Sequence, residues 1–185
     1  MLRTMDDFDI LILPGWANAG PDHWQTQWQQ AFPTLRRVEQ DEWLKPVYAD
    51  WAARLSEQVA LCRKPAVLVA HSLGTSLVMK WAHEGPAGKV AGALLVAPSD
   101  RDSPTAAERS GFAPMVLKPL PFSSLVAASR NDPHVSLERA RTFAQAWGSQ
   151  FADVGALGHI GSDAKLGLWP QGLVLLGQLL AALEP

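Results

Sequence analysis

Residues 66–75 read AVLVAHSLGT, and this stretch decides the fold. Residues 66–70 are a continuous apolar run of strand length, as expected for a strand buried on both faces of a parallel sheet. Residues 73–83 follow with helical character. Ser72 sits on the strand-to-helix turn, with Ala70 two positions before it and Gly74 two after. Such a sharp turn brings backbones close together, which demands small side chains at those two positions, and it lifts the serine hydroxyl clear of the sheet. Ala70 stands where glycine is usual, so the pattern is A-x-S-x-G. The N-terminus of the next helix places a partial positive charge beside the hydroxyl. A competing reading makes Ser72 only the N-cap of that helix, since serine caps well.

Outward from this stretch, strand-like and helix-like segments alternate. Residues 8–13 (FDILIL) form a short apolar run that ends in Pro14-Gly15. Residues 22–32 place Trp24 and Trp28 on one helical face. A short strand at 35–38 precedes a helix at 48–61, whose Trp51, Leu55, Val59 and the following Cys62 keep helical spacing. Residues 90–97 read as another buried strand, and 99–121 as a polar, proline-containing surface excursion. Strands at 124–128 and 151–154 flank a helix at 136–147, with Ser136 as its N-cap and Glu138 in its first turn. A leucine-rich helix at 170–183 closes the chain. This order predicts an α/β fold: a three-layer α/β/α sandwich with a mostly parallel sheet of about six strands. Ligands in such sheets bind beyond the carboxyl ends of the strands, where strand order reverses. The chemistry is therefore expected in the loops at 14–18, 71–74, 98–101, 129–134 and 155–162.

A serine nucleophile needs a base, and the base needs an orienting acid. On this kind of sheet the chain order is serine, acid, histidine. Of five histidines, only His134 and His159 follow Ser72 at an expected strand end. His159 lies in the glycine-rich GALGHIG loop, 155–161, and is the candidate base. Asp132, in SRNDP at 129–133, follows the fifth strand and is the candidate acid. Pro133 biases it toward an extended conformation. Asp100, Asp153 and Asp163 are alternatives. Bland readings remain for both residues, a turn aspartate before proline and a surface-loop histidine. His71 reads as support beside the elbow, and His23 as a brace for the loop after the first strand. That loop, Leu13-Pro14-Gly15-Trp16-Ala17, should supply one N–H of an oxyanion hole, from Trp16 or next from Ala17. Leu73 would supply the other.

Composition limits the alternatives. The chain has 185 residues, 48 % hydrophobic and 18 % charged, which fits one folded domain over 1–185 with a real core. Sixteen basic against eighteen acidic residues leave no basic field for a nucleic acid. The opening MLRTMDDFDI is acidic where a signal peptide is basic, and no apolar run is long enough to span a bilayer. A cytoplasmic, non-membrane protein is expected. Cys62 is the only cysteine, so no internal disulfide can form; it reads as a packing residue. No zinc-protease, nucleotide or dinucleotide motif is found.

These residues together bear a family likeness. LPGWANAGPDHWQ (13–25), RVEQDEWLKPVYADW (37–51), VLVAHSLGT (67–75), GALLVAPSD (92–100), FAPM (112–115), ASRNDP (128–133), ERARTFAQAWG (138–148) and GHI (158–160) occur in order nearly end to end. The chain resembles the small α/β-hydrolase-fold serine hydrolases of the retinoblastoma-binding-protein type, common in bacteria. The resemblance implies Ser72, Asp132 and His159 as a triad, a six- or seven-stranded sheet and no lid domain. It implies no metal or organic cofactor. Similar proteins usually carry asparagine after GHI, where Gly161 stands here, a change that could loosen the His159 loop.

The leading expectation is hydrolysis of a small carboxylic ester through an acyl-enzyme. Amide or thioester hydrolysis by the same residues remains open. So does a catalytically weak binding or interaction module on the same fold. The partner expected is a small acyl substrate, on a monomer or homodimer. With little chain left for a cover, the site should be open or shallow, with 99–121 as its only candidate wall. Trp24, Trp28, Trp51, Trp81 and Trp147 read as packing residues. Gly15, Ala17, His71, His134 and the loop tryptophans Trp16, Trp43 and Trp169 are the candidate substrate contacts.

Overall fold

In a computed structural model, which describes residues 3–107 and 109–183, β3 (Ala66–His71) lies inside a sheet with every one of its residues buried. β1 (Asp9–Leu13) pairs with it on one side and β4 (Val90–Val96) on the other. The full order is β2 (Arg36–Arg37), β1, β3, β4, β5 (Ser123–Ala128), β6 (Gln150–Asp153), and all pairs are parallel.

Alternation along the strands feeds two cores. Val67 and Val69 face α1 (Trp24–Ala31) and α5 (Pro170–Ala182). Ala66, Leu68 and Ala70 face α2 (Tyr48–Ala60), α3 (Leu73–Glu84) and α4 (Leu137–Trp147). Burial on both faces explains the unbroken apolar run. The three-layer α/β/α sandwich is thus the observed architecture.

The expected elements form, with small shifts. The first helix starts at Trp24, with His23 as its N-cap. The edge strand β2 shortens to Arg36–Arg37. Ser136 Oγ accepts the Arg139 N–H at 3.1 Å and caps α4. Among the described residues, the excursion between β4 and β5 contains no helix or strand, only an isolated bridge from Ser110 to Val47. Cys62 is buried just beyond α2, and burial raises its thiol pKa, so it packs rather than reacts.

The five tryptophans on helices are all buried, and each indole N–H finds an acceptor. Trp24 donates to Ile160 O, Trp28 to Leu168 O, Trp51 to Glu42 O, Trp81 to Ser56 Oγ and Trp147 to Val116 O. Four of these bonds tie a loop to a helix. Truncating a buried ring of this size costs about 3–5 kcal/mol, so the aromatics anchor loops as well as fill the core.

Strand order reverses at β1, because the chain goes out to β2 and returns past β1 to β3. The crevice therefore opens between the ends of β1 and β3. Gln25, fully buried, spans these two strands, with Nε2 donating to Leu13 O at 3.3 Å and Val69 O at 3.1 Å. Gly74 seats α3 beneath the same point. A Cβ there would come within 2.4 Å of Leu13 O and 2.9 Å of Pro14 O.

Candidate active site

Ser72 joins β3 to α3 with φ 53° and ψ −119°. A serine gains nothing intrinsic from this left-handed region, and such strain costs about 1–3 kcal/mol. The parallel pairing of β3 and the tight seat of Gly74 hold it there. The Ser72 side chain makes no capping hydrogen bond, so it is not spent on the helix. Its Oγ lies 2.7 Å from His159 Nε2.

His159 Nδ1 lies 2.8 Å and 3.0 Å from the two carboxylate oxygens of Asp132. A carboxylate accepts, so Nδ1 carries the proton and the Nε2 lone pair faces the serine hydroxyl. The Asp132 side chain is 0 % exposed and that of His159 is 22 % exposed. Asp132 Oδ1 also accepts the His134 N–H at 2.8 Å, which fixes the carboxylate from its own loop. The three residues thus form one hydrogen-bonded line from three different loops.

The His159 loop is tied down despite its glycines. Ser129 Oγ accepts the Leu157 N–H at 2.9 Å, and Asn131 Oδ1 accepts the Gly158 N–H at 2.7 Å. His71 Nε2 donates to His159 O at 2.8 Å, and Trp24 Nε1 to Ile160 O at 2.8 Å. Ser129, Asn131 and Trp24 were not among the expected site residues. Their only sequence signal is position in the loops that follow strands or at the start of α1. Gly161 follows this loop and leads into a short turn. Its carbonyl accepts the Ala164 N–H at 3.1 Å, and a Cβ there would come no nearer than 3.9 Å to His71 Cε1.

A cavity of about 350 Å³ opens over Ser72. Gly15, Trp16, His71, Leu73, His134 and His159 all line it, as does His23. The excursion after β4 forms the facing wall through Ser99–Arg101, Ser103, 105–107 and Arg109. Three expected contacts lie elsewhere. Trp169 is 2 % exposed, turned inward at φ 40° against Trp24 and Trp28, and lies within the core under α5. Trp43 packs edge-on against Trp51. Ala17 is turned out of the cavity at φ 63°, and its N–H is taken by Trp43 O at 3.1 Å. Ala17 therefore has no N–H to offer a ligand. Trp16 is half-exposed, with Nε1 donating to Leu44 O at 2.8 Å, and its own backbone N–H has no protein acceptor among the described residues.

Burial shapes the electrostatics. It pushes the His23 imidazole down to about 4, helped by Arg37 and His159. It holds His71 well below the ordinary histidine range, helped by His23 and His159. His134 moves the same way for the same reason, burial, with His159 adding to it. These three rings are neutral near pH 7. Two of the alternative acids are engaged elsewhere. Asp100 pairs with Arg139 at 2.9 Å, and Asp153 with Arg130 at 2.9 Å. Among the described residues no cluster of histidine, cysteine, aspartate and glutamate could hold a metal ion, and no helix is long and apolar enough to cross a membrane.

Comparison with known proteins gives the family. A search of curated proteins gave no match. A protein described as a YdeN-like hydrolase, from Pectobacterium atrosepticum, is 32 % identical, with 97 % of this chain and 94 % of that chain covered and a TM-score of 0.87. The ydeN gene product of B. subtilis is 20 % identical, covering 92 % and 97 %, with a TM-score of 0.78. The type II thioesterase BorB from the borrelidin biosynthetic cluster is 16 % identical, covering 97 % and 94 %, with a TM-score of 0.67. The last two likenesses establish the fold alone, a compact α/β-hydrolase arrangement. The family model for serine hydrolases matches residues 10–178, nearly the whole length, and the chain belongs to the serine hydrolase family.

Proposed function

We propose that the protein hydrolyses small carboxylic esters through an acyl-enzyme on Ser72. The observation that carries this reading is the hydrogen-bonded line from Asp132 through His159 to Ser72, with each link between 2.7 and 3.0 Å. Ser72 Oγ attacks the ester carbonyl while His159 Nε2 takes its proton. The tetrahedral oxyanion rests on the N–H groups of Leu73 and Trp16. Gly15 supports that pairing. A Cβ there would lie 2.9 Å from Ser72 Cβ and 3.3 Å from Leu73 N, so the loop after β1 reaches the elbow only as glycine.

His159 then gives its proton to the departing alkoxide, which leaves as the alcohol. Water, deprotonated by the same nitrogen, attacks the acyl-serine, and the carboxylic acid leaves as Ser72 recovers its proton. Asp132 keeps the imidazole in the required tautomer and stabilises the imidazolium. The modest cavity favours short acyl chains.

Turnover of p-nitrophenyl esters of rising acyl length tests this. Activity should fall with chain length, vanish in Ser72→Ala, and drop about 10³–10⁴-fold in folded Asp132→Asn. Full activity in Asp132→Asn would remove Asp132 from the mechanism.

A further inference from the structure

The cavity wall opposite Ser72 carries a positive charge that hydrolysis of a neutral ester does not use. Arg101 follows β4 by a few residues and lines the same cavity as Ser72, His134 and His159. Its Nη1 donates to Ser99 Oγ at 3.2 Å and its Nη2 to Ala107 O. Both partners are neutral, and they clamp the side chain in place. Further N–H groups of the guanidinium have no acceptor among the described residues. Arg101 makes no ion pair among the described residues.

Among the described residues, no carboxylate is bonded to Arg101. Among the described residues, Asp100 is the only acid lining the cavity, and its carboxylate is held by Arg139 Nε at 2.9 Å and Nη2 at 3.4 Å. Asp102 also faces Arg139, at 3.5 Å. A second guanidinium, Arg109, lies on the same wall over the Trp16 ring, 5.0 Å from its centroid. Burial, with Arg109 adding to it and Asp100 opposing it, lowers the Arg101 pKa. That shift is the mark of a charge desolvated beside a like charge. The imidazoles of His23, His71 and His134 add no compensating negative charge.

A half-buried guanidinium that no carboxylate hydrogen-bonds among the described residues is costly to keep. A ligand that brings the missing anion recovers that cost. The planar fork of arginine matches a carboxylate with two parallel hydrogen bonds. We infer that Arg101 binds a carboxylate of the substrate, so that the ester cleaved at Ser72 belongs to an acidic molecule. This rests on the hydrolase reading above and narrows its substrate class. The carboxylate lies either on the acyl side, as in a half-ester of a dicarboxylic acid, or on the leaving group, as in an ester of a hydroxy acid.

Two matched pairs distinguish these sources. Ethyl hydrogen adipate against ethyl heptanoate places the charge on the acyl side. 4-Butyryloxybutanoate against pentyl butyrate places it on the leaving group. Hydrolysis of each is followed by alkali uptake at constant pH. One acidic ester should exceed its neutral match by about 10- to 100-fold in kcat/KM, the range of a charge-assisted hydrogen bond. That ratio should fall to about unity in Arg101→Gln and be partly kept in Arg101→Lys, which retains the charge without the fork. No preference for either acidic ester, or a ratio unchanged in both variants, overturns the inference. Fluorophosphonate labelling of the same preparations separates the two readings. A labelled Ser72 without acidic preference overturns the carboxylate pocket alone, whereas folded wild type that neither labels nor turns over overturns both.

Discussion

His71 Nε2 donates to the backbone carbonyl of His159 at 2.8 Å, so the residue preceding Ser72 holds the backbone of the residue facing it. A carbonyl only accepts, which places the His71 proton on Nε2. Burial keeps this ring neutral, and the tautomer is therefore stable across the working pH range. His71→Phe keeps the ring and removes the bond. Its kcat on a small ester should fall about 10-fold with little change in KM, because the loss acts on the placing of His159 rather than on substrate. An unchanged kcat in folded His71→Phe would show that the other ties suffice.

The buried histidines make the fold acid-sensitive. His23 in the folded state sits at about 4, against about 6.5 for an unfolded histidine. Between these values the unfolded chain binds more protons, so stability rises with pH. The contribution is complete above pH of about 6.5 and is lost as pH falls through the folded value. For His23 it amounts to about 3 kcal/mol, and His71 acts in the same direction. Urea midpoints from pH 7 down to pH 4 should therefore fall. They should fall less steeply in His23→Asn, which keeps a good N-cap without the titrating ring. Equal slopes in the two proteins would contradict this.

Two glycines near the site should respond oppositely. Gly74→Ala drives a Cβ into Leu13 O at 2.4 Å and should cost about 1–3 kcal/mol through backbone displacement. It should also lower kcat, since Leu13 opens the loop that carries Trp16. Gly161→Asn meets nothing closer than 3.9 Å at its Cβ, and its φ of −108° suits any residue. Melting temperatures should show a clear drop for the first and little change for the second.

Trp16 and Trp169 separate a cavity wall from a core residue. Trp16→Ala removes an exposed indole from the cavity but leaves its N–H, so KM should rise about 3- to 10-fold with a smaller effect on kcat. Trp169→Phe retains an aromatic in the core and removes an indole Nε1 that has no partner among the described residues. Steady-state kinetics of Trp169→Phe should match wild type. A raised KM there would return Trp169 to the substrate contacts.

The parts of this molecule legible in sequence are those set by local pattern. The run 66–70, the A-x-S-x-G turn and the Ser136 cap each depend on a few neighbouring residues, and each forms where expected. Chain order narrowed the base to His134 and His159 and left Asp132 beside Asp100, Asp153 and Asp163, and the family resemblance implied the choice of Asp132 and His159. The misplaced tryptophans share a physical cause. A loop position does not say which way a ring turns, and the inward Trp169 ring packs over Gly172, where a Cβ would meet it at 2.1 Å. Ala17 lost its N–H to Trp43 O, a contact between segments far apart in sequence. The tie from His71 to His159 spans 88 residues, and Arg101 gains meaning only once Asp100 is seen to belong to Arg139. Such relationships depend on the closed fold.

The central claim is that Ser72 is a nucleophile activated by His159. It is tested most directly by incubating folded protein with a fluorophosphonate and locating the adduct by mass spectrometry. One adduct per chain is expected, on Ser72, absent from Ser72→Ala and strongly slowed in His159→Ala. Folded protein that takes no adduct, or that takes it on another residue, would contradict it.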